Sequence, residues 1–319
     1  MKRRKFIKLS AVSAPLIGCF PADLSGIARE FRNNGMEKRS YGKTGVKLSI
    51  LGFGGVVVMN STAEQADERV SRAIDCGINY FDVAPSYGDA EYRMGPALEP
   101  YRKNVFLACK TMKRTAAEAQ NELEQSLERL KTDYFDLYQL HAVTKTEEVE
   151  TIFGTGGAME TFVKAREAGK IRYIGFSAHS VEAAMALLDG FRFDSMLFPV
   201  NYACWHAGNF GPQVLEKARQ QGAAILAIKS IARRPWPDGV EKIPKCWYEP
   251  VTTSEEALKA LRFTLSHPVT AAIPPGNEDL FFLALELIKQ FKPLSEKEII
   301  QMKEMGKAEN PLFRFPMQS

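Results

Sequence analysis

From Leu48 onwards the sequence alternates between short apolar runs and longer amphipathic stretches. Each run is almost continuously apolar, as in the strands of a parallel sheet whose two faces are both buried. The stretches between the runs show helical periodicity, with Leu123, Leu127 and Leu130 on one face of the third spacer, and several end at a glycine. The runs are LSILGFGG, INYFDVA, VFLACK, DLYQLH, IRYIGFS, MLFPVNY, AAILAIK and VTAAIPP.

This repetition predicts a closed barrel. Eight strand–helix units within about 240 residues match the number and size of the units in a (β/α)8 barrel. A doubly wound sheet is the alternative, and it would need a glycine-rich phosphate-binding turn after an early strand. The candidate turn at Gly52–Gly55 lacks the third glycine and the helix that should follow it. The sequence therefore predicts the α/β class and a (β/α)8 TIM barrel over residues 39–319.

Two additions to the barrel are predicted. The segment RSYGKTGVKLSI indicates an N-terminal β-hairpin around Gly42–Gly45 that would cover the barrel floor. The segment LSEKEIIQMKEMG indicates a short extra C-terminal helix, and the tail NPLFRFPMQS has no regular period.

The charge distribution argues against nucleic acid as a partner. The net charge is +4, and residues 1–19 carry five basic residues and no acidic one. Without that segment the chain has a net charge of −1, which is unlike the basic surface of a nucleic-acid-binding protein. The five basic residues are Lys2, Arg3, Arg4, Lys5 and Lys8.

The same segment is typical of an export signal. A basic start is followed by a modest apolar run and then by small residues, and the run is too short to span a bilayer. Arg3-Arg4 followed by Phe6 resembles the twin-arginine signal, which the twin-arginine export machinery recognises. LIGC, which ends at Cys19, resembles a lipobox and indicates a possible lipid anchor. We therefore expect a signal at 1–19, a linker at 20–38, and a periplasmic or membrane-anchored protein; a cytoplasmic protein with a basic start is the alternative.

Cysteine and histidine spacing gives no support for a metal site. The five cysteines form no CxxC pair, and the four histidines form no HExxH motif.

Polar residues at the carboxyl ends of the predicted strands are the candidates for chemistry, because functional groups of such barrels collect there. Asp82 ends the second run with Tyr87 on the following turn, Lys110 ends the third run, and His141 ends the fourth. A nearby ammonium is expected to lower the pKa of a tyrosine. Lys110 would do this for Tyr87, Asp82 would hold Lys110, and His141 would orient a substrate oxygen. Such a set would protonate an oxygen as a carbonyl is reduced.

At these residues the chain resembles the aldo-keto reductase family over roughly residues 39–290. YFDVAPSYG matches the D-x4-Y segment of the family, LACK its lysine strand, LYQLH its histidine strand and RSYGKTGVKLSILGFGG its opening hairpin. The resemblance implies catalysis by Asp82, Tyr87, Lys110 and His141, and a nicotinamide cofactor extended across the barrel mouth. It implies an aldehyde, a ketone or a sugar-like compound as substrate.

The resemblance also assigns residues to the cofactor, which by family default is NADP(H). Ser177 matches the serine that contacts the carboxamide, and Lys229 is expected to meet the pyrophosphate as a point charge. Gly276 and Asn277 form a turn at the start of a helix, which is suited to an anion. The full set of expected cofactor residues is Gly54, Gly55, Asp82, Ser177, Asn201, Lys229, Ser230, Gly276, Asn277 and Glu286.

The sequence departs from the family at several of these positions. Ala178 replaces the usual asparagine, and Pro199 replaces the usual glutamine, although Asn201 is near. Phe282 stands where many members have an arginine for the 2′-phosphate, which leaves NAD(H) open as the cofactor. Arg233 and Arg234 are candidates to replace this arginine from another loop, and simple solvation of the pair is the alternative.

The segment RRPWPDGVEKIPKCWYEP follows the seventh strand and is expected to hang over the barrel mouth. Trp236, Trp247 and Tyr248 are candidates for stacking on a substrate, and a surface loop with its own small core is the alternative. Two other functions remain open: a nucleotide-binding sensor with little turnover, and a lyase or isomerase that keeps its dinucleotide bound.

Overall fold

A computed structural model describes residues 35–316 and contains the predicted barrel. Eight parallel strands form one sheet in which each strand pairs with its sequence neighbour in the barrel. The sheet closes on itself because Gly52 N donates to Ala272 O at 2.9 Å and Ala272 N donates to Ile50 O at 2.9 Å. Closure excludes the doubly wound alternative. The barrel strands are β3 (Phe53–Gly54), β4 (Tyr80–Asp82), β5 (Phe106–Thr111), β6 (Phe135–Val143), β7 (Ile171–Ala178), β8 (Ser195–Pro199), β9 (Ala224–Ile228) and β12 (Ala271–Ile273).

Helices surround the barrel and have the predicted terminal signals. Thr62 caps the first of them with a capping box, in which the side chains of Thr62 and Gln65 each bond the other's backbone. The eighth ends at Gly222, whose φ of 78° is left-handed. The helices are α1 (Ala63–Asp75), α2 (Ala90–Leu98), α3 (Ala116–Arg129), α4 (Thr146–Phe153), α5 (Ala158–Glu167), α6 (Val181–Gly190), α7 (Tyr202–His206), α8 (Pro212–Gln221), α9 (Ser254–Ser266), α10 (Glu278–Leu287) and α11 (Glu296–Lys307).

The predicted hairpin lies at the floor of the barrel. Its strands are β1 (Lys38–Ser40) and β2 (Lys47–Ser49), which pair antiparallel. Tyr41, in the hairpin turn, is fully buried and packs against Phe106 and Tyr173, near the amino ends of two barrel strands. The hairpin therefore seals the end of the barrel opposite the carboxyl ends of the strands.

The core has two parts, separated by the barrel wall. The smaller part fills the barrel interior with side chains such as Tyr80, Leu137 and Leu226. The larger part lies between the strands and the helices and includes Phe53, Phe81 and the helical Leu123. Buried apolar side chains on both faces explain why each strand reads as a continuous apolar run.

The segment over the barrel mouth is partly ordered as a small sheet. Residues Ala232–Arg234 (β10) and Glu249–Pro250 (β11) pair antiparallel, so this stretch is less irregular than the sequence indicated. The predicted extra C-terminal helix is present as α11. Within residues 35–316 no helix is long and apolar enough to cross a membrane. The predicted signal at 1–19, including Cys19, and most of the linker lie outside the described residues.

Candidate active site

A cavity of about 290 Å³ opens at the carboxyl ends of the barrel strands. Two residues that sequence analysis did not single out, His179 and Lys245, contribute to its wall. The predicted site residues that line it are Gly54, Asp82, Tyr87, His141, Ser177, Lys229, Trp247, Tyr248 and Gly276.

Lys110 lies below the cavity, at the end of β5, and joins two of the predicted catalytic residues. Its side chain is fully buried, and its Nζ pairs with the Asp82 carboxylate. The same Nζ donates to Tyr87 Oη at 3.2 Å and to the Val83 carbonyl at 3.2 Å. Burial alone would lower the pKa of Lys110, but the adjacent Asp82 and Tyr87 reverse this and raise the pKa above its ordinary value. The ammonium is therefore charged at neutral pH.

Asp82 is fixed by two further donors inside the barrel. Its Oδ2 accepts a hydrogen bond from Gln139 Nε2 at 3.0 Å and from Tyr80 Oη at 3.2 Å. Gln139 and Tyr80 are both fully buried. Gln139 was missed by the sequence analysis because a single amide within the apolar run DLYQLH gives no periodic signal. The carboxylate is thus oriented by neutral donors on one oxygen and by the ammonium on the other.

Tyr87 reaches the cavity from the turn between β4 and α2. Its hydroxyl accepts from Lys110, and its ring meets the His141 ring edge-on with centroids 5.7 Å apart. Burial raises the pKa of Tyr87, and the adjacent Lys110 only partly opposes that rise. The net direction is opposite to the sequence-based expectation, because desolvation of the phenolate outweighs the single ammonium. Tyr87 therefore holds its proton at neutral pH.

His141 is a neutral imidazole at the cavity wall. Burial, with the positive charge of Lys110 as the next cause, holds the pKa of His141 well below its usual range. Its Nδ1 lies 3.4 Å from Ser86 Oγ. A neutral imidazole has one N–H to donate, so His141 can give a hydrogen bond to an oxygen in the cavity.

His179 follows β7 on the same wall. Its ring stacks on Phe313 of the C-terminal tail, with centroids 5.4 Å apart and an interplanar angle of 6°. Burial and then Lys229 lower the pKa of His179 to about 3. Its Nε2 is buried and has no hydrogen-bond partner among residues 35–316.

Several predicted cofactor residues lie beside the cavity rather than in its wall. Asn201 caps α7 by accepting from Cys204 N at 2.9 Å, and Asn277 caps α10 by accepting from Leu280 N at 3.1 Å. The Ser230 side chain is fully buried, and Glu286 is exposed on α10. Gly55 packs against Val83, where an added Cβ would come within 2.7 Å.

The cavity wall near α10 is built from a close backbone contact. A Cβ added at Gly276 would lie 2.2 Å from Val56 Cγ1, so only glycine fits between the two segments. Ser177 lies on the opposite wall, and its Oγ accepts a hydrogen bond from Ala142 N at 2.7 Å.

The two lysines of the cavity wall have different surroundings. Lys245 donates to Glu278 Oε2 at 3.2 Å and to the Val57 carbonyl at 3.2 Å, beside the first turn of α10. Lys229 follows β9 with a left-handed φ of 65° and lies over the rings of Tyr248, at 5.3 Å, and Phe313, at 5.9 Å. Burial lowers the pKa of Lys229 to about 8.

The residues considered for the 2′-phosphate have partners within the protein. Phe282 packs under the guanidinium of Arg72, which lies 3.7 Å from the ring centroid. Arg233 pairs with Glu309 at 2.9 Å, and Arg234 pairs with Glu249 at 2.7 Å. None of these four side chains contributes to the cavity wall.

The aromatic residues of the segment over the mouth have separate environments. Trp236 does not line the cavity, and its Nε1 donates to Cys246 O at 2.9 Å. Tyr248 is buried in the wall, and Trp247 is 68% exposed at its rim. Trp236 thus packs against the main core, while Trp247 and Tyr248 line the cavity.

The chain is similar to known proteins of the family that its sequence motifs resemble. The family model of the aldo/keto reductase family matches residues 50–234. Aldo-keto reductase YhdN of Bacillus subtilis is 36% identical over 166 residues, which are 46% of this chain and 48% of YhdN. Methylglyoxal reductase YeaE of Escherichia coli is 37% identical over 190 residues, which are 56% of this chain and 63% of YeaE. The chain spans about half the length of YhdN and less than two thirds of YeaE.

Solved structures show the same fold. Aldo-keto reductase AKR11C1 of Bacillus halodurans, in its holo form, has a TM-score of 0.68 at 24% identity and covers 87% of this chain and 98% of its own. An aldo-keto reductase of Klebsiella pneumoniae in complex with NADPH has a TM-score of 0.67 at 22% identity and covers 89% of this chain and 100% of its own. These similarities concern the barrel architecture.

Proposed function

Because the chain belongs to the aldo/keto reductase family, we propose that it reduces an aldehyde or a ketone, or oxidises the corresponding alcohol, with NAD(P)(H). The observation that carries this proposal is the position of Lys110. One buried ammonium touches both the Asp82 carboxylate and the Tyr87 hydroxyl, and that hydroxyl lines the cavity. A chain that only bound a nucleotide would have no use for a charged group buried against a phenol.

The proposed roles follow from the contacts. A reduced nicotinamide, when bound, would supply the hydride for the carbonyl carbon. Tyr87 donates its proton to the carbonyl oxygen, and the adjacent Lys110 stabilises the phenolate that remains. Asp82 keeps Lys110 charged and in place, and the neutral His141 donates a hydrogen bond that orients the carbonyl oxygen. In the reverse direction the Tyr87 phenolate accepts the proton of the alcohol.

The residues of the cavity wall support the proposal of a bound dinucleotide. Gly54 and Gly276 line the cavity, and Ser177 offers a hydroxyl. Lys245 brings a positive charge to the start of α10, where a pyrophosphate is favoured. Asp82 is the only acidic residue among those of the described chain that line the cavity, and its charge is matched by Lys110.

A turnover assay tests the proposal against the two rivals. Oxidation of NADPH and of NADH is followed at 340 nm with a panel of aldehydes, ketones and aldoses, and the purified protein is analysed for bound dinucleotide by mass. The proposal expects steady turnover with an exchangeable cofactor. Tight cofactor binding without turnover on any carbonyl compound would favour the sensor, and turnover without net cofactor oxidation would favour the lyase or isomerase.

The site of action is proposed from the N-terminal sequence. Arg3, Arg4 and the LIGC segment support export by the twin-arginine machinery and a possible lipid anchor at Cys19. Export in the folded state suits an enzyme that takes up its cofactor before it leaves the cell.

A further inference from the structure

We infer that Lys229 binds a carboxylate on the substrate, so that the substrate class is carbonyl compounds that carry an anionic group. This inference rests on the proposed reductase function. It also changes the role of Lys229, which sequence resemblance had assigned to the cofactor pyrophosphate.

The charge of Lys229 favours an anionic ligand. No carboxylate of residues 35–316 pairs with its ammonium, and its described neighbours are the Tyr248 and Phe313 rings and the Cys204 side chain. A half-buried ammonium without an acid is costly unless a ligand supplies the negative charge. The two rings favour a cation between them but do not neutralise it.

The backbone of Lys229 has an unusual conformation. Its φ of 65° is in the left-handed region, which residues other than glycine seldom occupy. Strand β9 ends at Ile228, and the next residue, Lys229, lines the cavity. Strain of this kind is retained where a side chain has to reach a particular place.

The two cavity lysines have different neighbours. Lys245 is bound to Glu278 at the start of α10, which is the end of the cavity suited to a pyrophosphate. Lys229 lies beside Phe313, whose ring stacks on His179 in the wall that also holds His141. Burial and then Lys229 lower the pKa of His179. Lys229 therefore lies beside the wall of the cavity that holds His179 and His141, where the carbonyl group is expected.

The neighbours of Lys229 define the kind of substrate. A carboxylate on its ammonium would lie between the Tyr248 and Phe313 rings, with the buried Nε2 of His179 as a further polar partner. The carbonyl group would point to Tyr87 and His141, which line the same cavity. An aromatic aldehyde acid carries both groups on one ring and is therefore a suitable probe.

The test compares two aldehydes of similar shape. The holoenzyme is assayed with 4-carboxybenzaldehyde, which is anionic, and with 4-nitrobenzaldehyde, which is neutral, for the native chain and for Lys229→Met, Lys229→Arg and Lys245→Met. We expect Lys229→Met to lower the ratio of kcat/KM for the carboxylate over the nitro compound by at least tenfold, mainly through KM. Lys229→Arg should restore most of the ratio. Lys245→Met should weaken both reactions alike through the cofactor.

Binding measurements separate this inference from the proposed function. The dissociation constants of NADPH and of benzoate, the latter with NADP present, are measured by tryptophan fluorescence for the same variants. Benzoate binding that depends on Lys229 supports the anion site even if neither aldehyde is reduced, in which case the reductase proposal alone fails. An unchanged substrate ratio in Lys229→Met, or a tenfold loss of NADPH affinity with equal loss for both aldehydes, would overturn the inference and return Lys229 to the dinucleotide.

Discussion

Replacing Lys110 by methionine should destabilise the fold as well as the reaction. Lys110→Met leaves Oδ1 of Asp82 without its cation in a site where both side chains are almost fully buried. Removal of one partner of a buried ion pair typically costs about 3–5 kcal/mol. Gln139 and Tyr80 still donate to Oδ2 of Asp82, so we expect the lower end, about 3 kcal/mol.

A double-mutant cycle isolates the pair from the loss of packing. Asp82→Asn should be similarly destabilising, because it leaves the Lys110 ammonium buried with only Val83 O and Tyr87 Oη as neutral partners. The double variant Lys110→Met, Asp82→Asn removes both charges and keeps an amide oxygen for one of the two donors. The double variant should lose less free energy of unfolding than the two single variants lose in sum, by about 2 kcal/mol or more, as for other contacting residues.

Urea unfolding at pH 7, followed by tryptophan fluorescence, measures these free energies. If the free energy of unfolding of Lys110→Met lies within about 1 kcal/mol of that of the native chain, and the effects of the two substitutions add, no charge pair is buried here. The arrangement proposed for Lys110, and with it the electrostatic support of Tyr87, would then be wrong.

Three further predictions concern pH, cofactor and export. Burial and then His206 lower the pKa of His267 to about 4. As the pH falls, the unfolded chain therefore binds this proton before the folded chain does. The stability that the neutral His267 contributes is fully present above pH 6.5 and falls as the pH drops toward 4, by about 2 kcal/mol at pH 5. His267→Phe should reduce the fall of urea midpoints between pH 7.5 and 5 without abolishing it, because the pKa values of His141 and His179 are also lowered by burial; an unchanged slope would contradict this. NADPH should be favoured over NADH by less than about a hundredfold, because Phe282 offers no charge to a 2′-phosphate. Phe282→Arg should raise the ratio of the two affinities, measured by fluorescence titration. A native ratio above about a thousandfold would show that an arginine such as Arg72 reaches the 2′-phosphate. Changing Arg3 and Arg4 to lysine should retain the protein inside the cell, and Cys19→Ala should release it from the membrane fraction; native protein in the cytoplasm with Lys2 still present would refute export.

The barrel was predictable because each strand is buried on both faces. Each of the eight barrel strands overlaps one of the eight apolar runs, and helix α8 ends at a glycine, Gly222, as the sequence indicated for several helices. Helix α4 was missed because its segment TEEVETIF is short and mostly acidic at its start, so it resembles a solvated loop. The run LSILGFGG was taken for one strand, whereas it contains β2 of the hairpin and then β3 of the barrel.

The candidate site was most predictable where a polar residue ends an apolar run. Asp82, Lys110 and His141 gave that signal, whereas Gln139 is inside a run and Lys245 is in an irregular segment. Asn201 and Asn277 were expected to bind the cofactor, and this stays a prediction; the Oδ1 of each caps a helix, and a cap and a ligand contact have the same sequence signal. The direction of the Tyr87 pKa depends on burial, which the sequence does not give.

The most direct measurement compares two tyrosines that share one carboxylate. Tyr80 and Tyr87 are both linked to Asp82, the first by a direct hydrogen bond and the second through Lys110, but only Tyr87 lines the cavity. Single-turnover oxidation of bound NADPH by an aldehyde is measured for Tyr87→Phe and for the control Tyr80→Phe. The account predicts a loss of about 10²-fold or more for Tyr87→Phe, with little change in NADPH affinity, and a loss below about tenfold for Tyr80→Phe. Near-native turnover of Tyr87→Phe, or an equal loss in both variants, would contradict the role of Tyr87 as the proton donor.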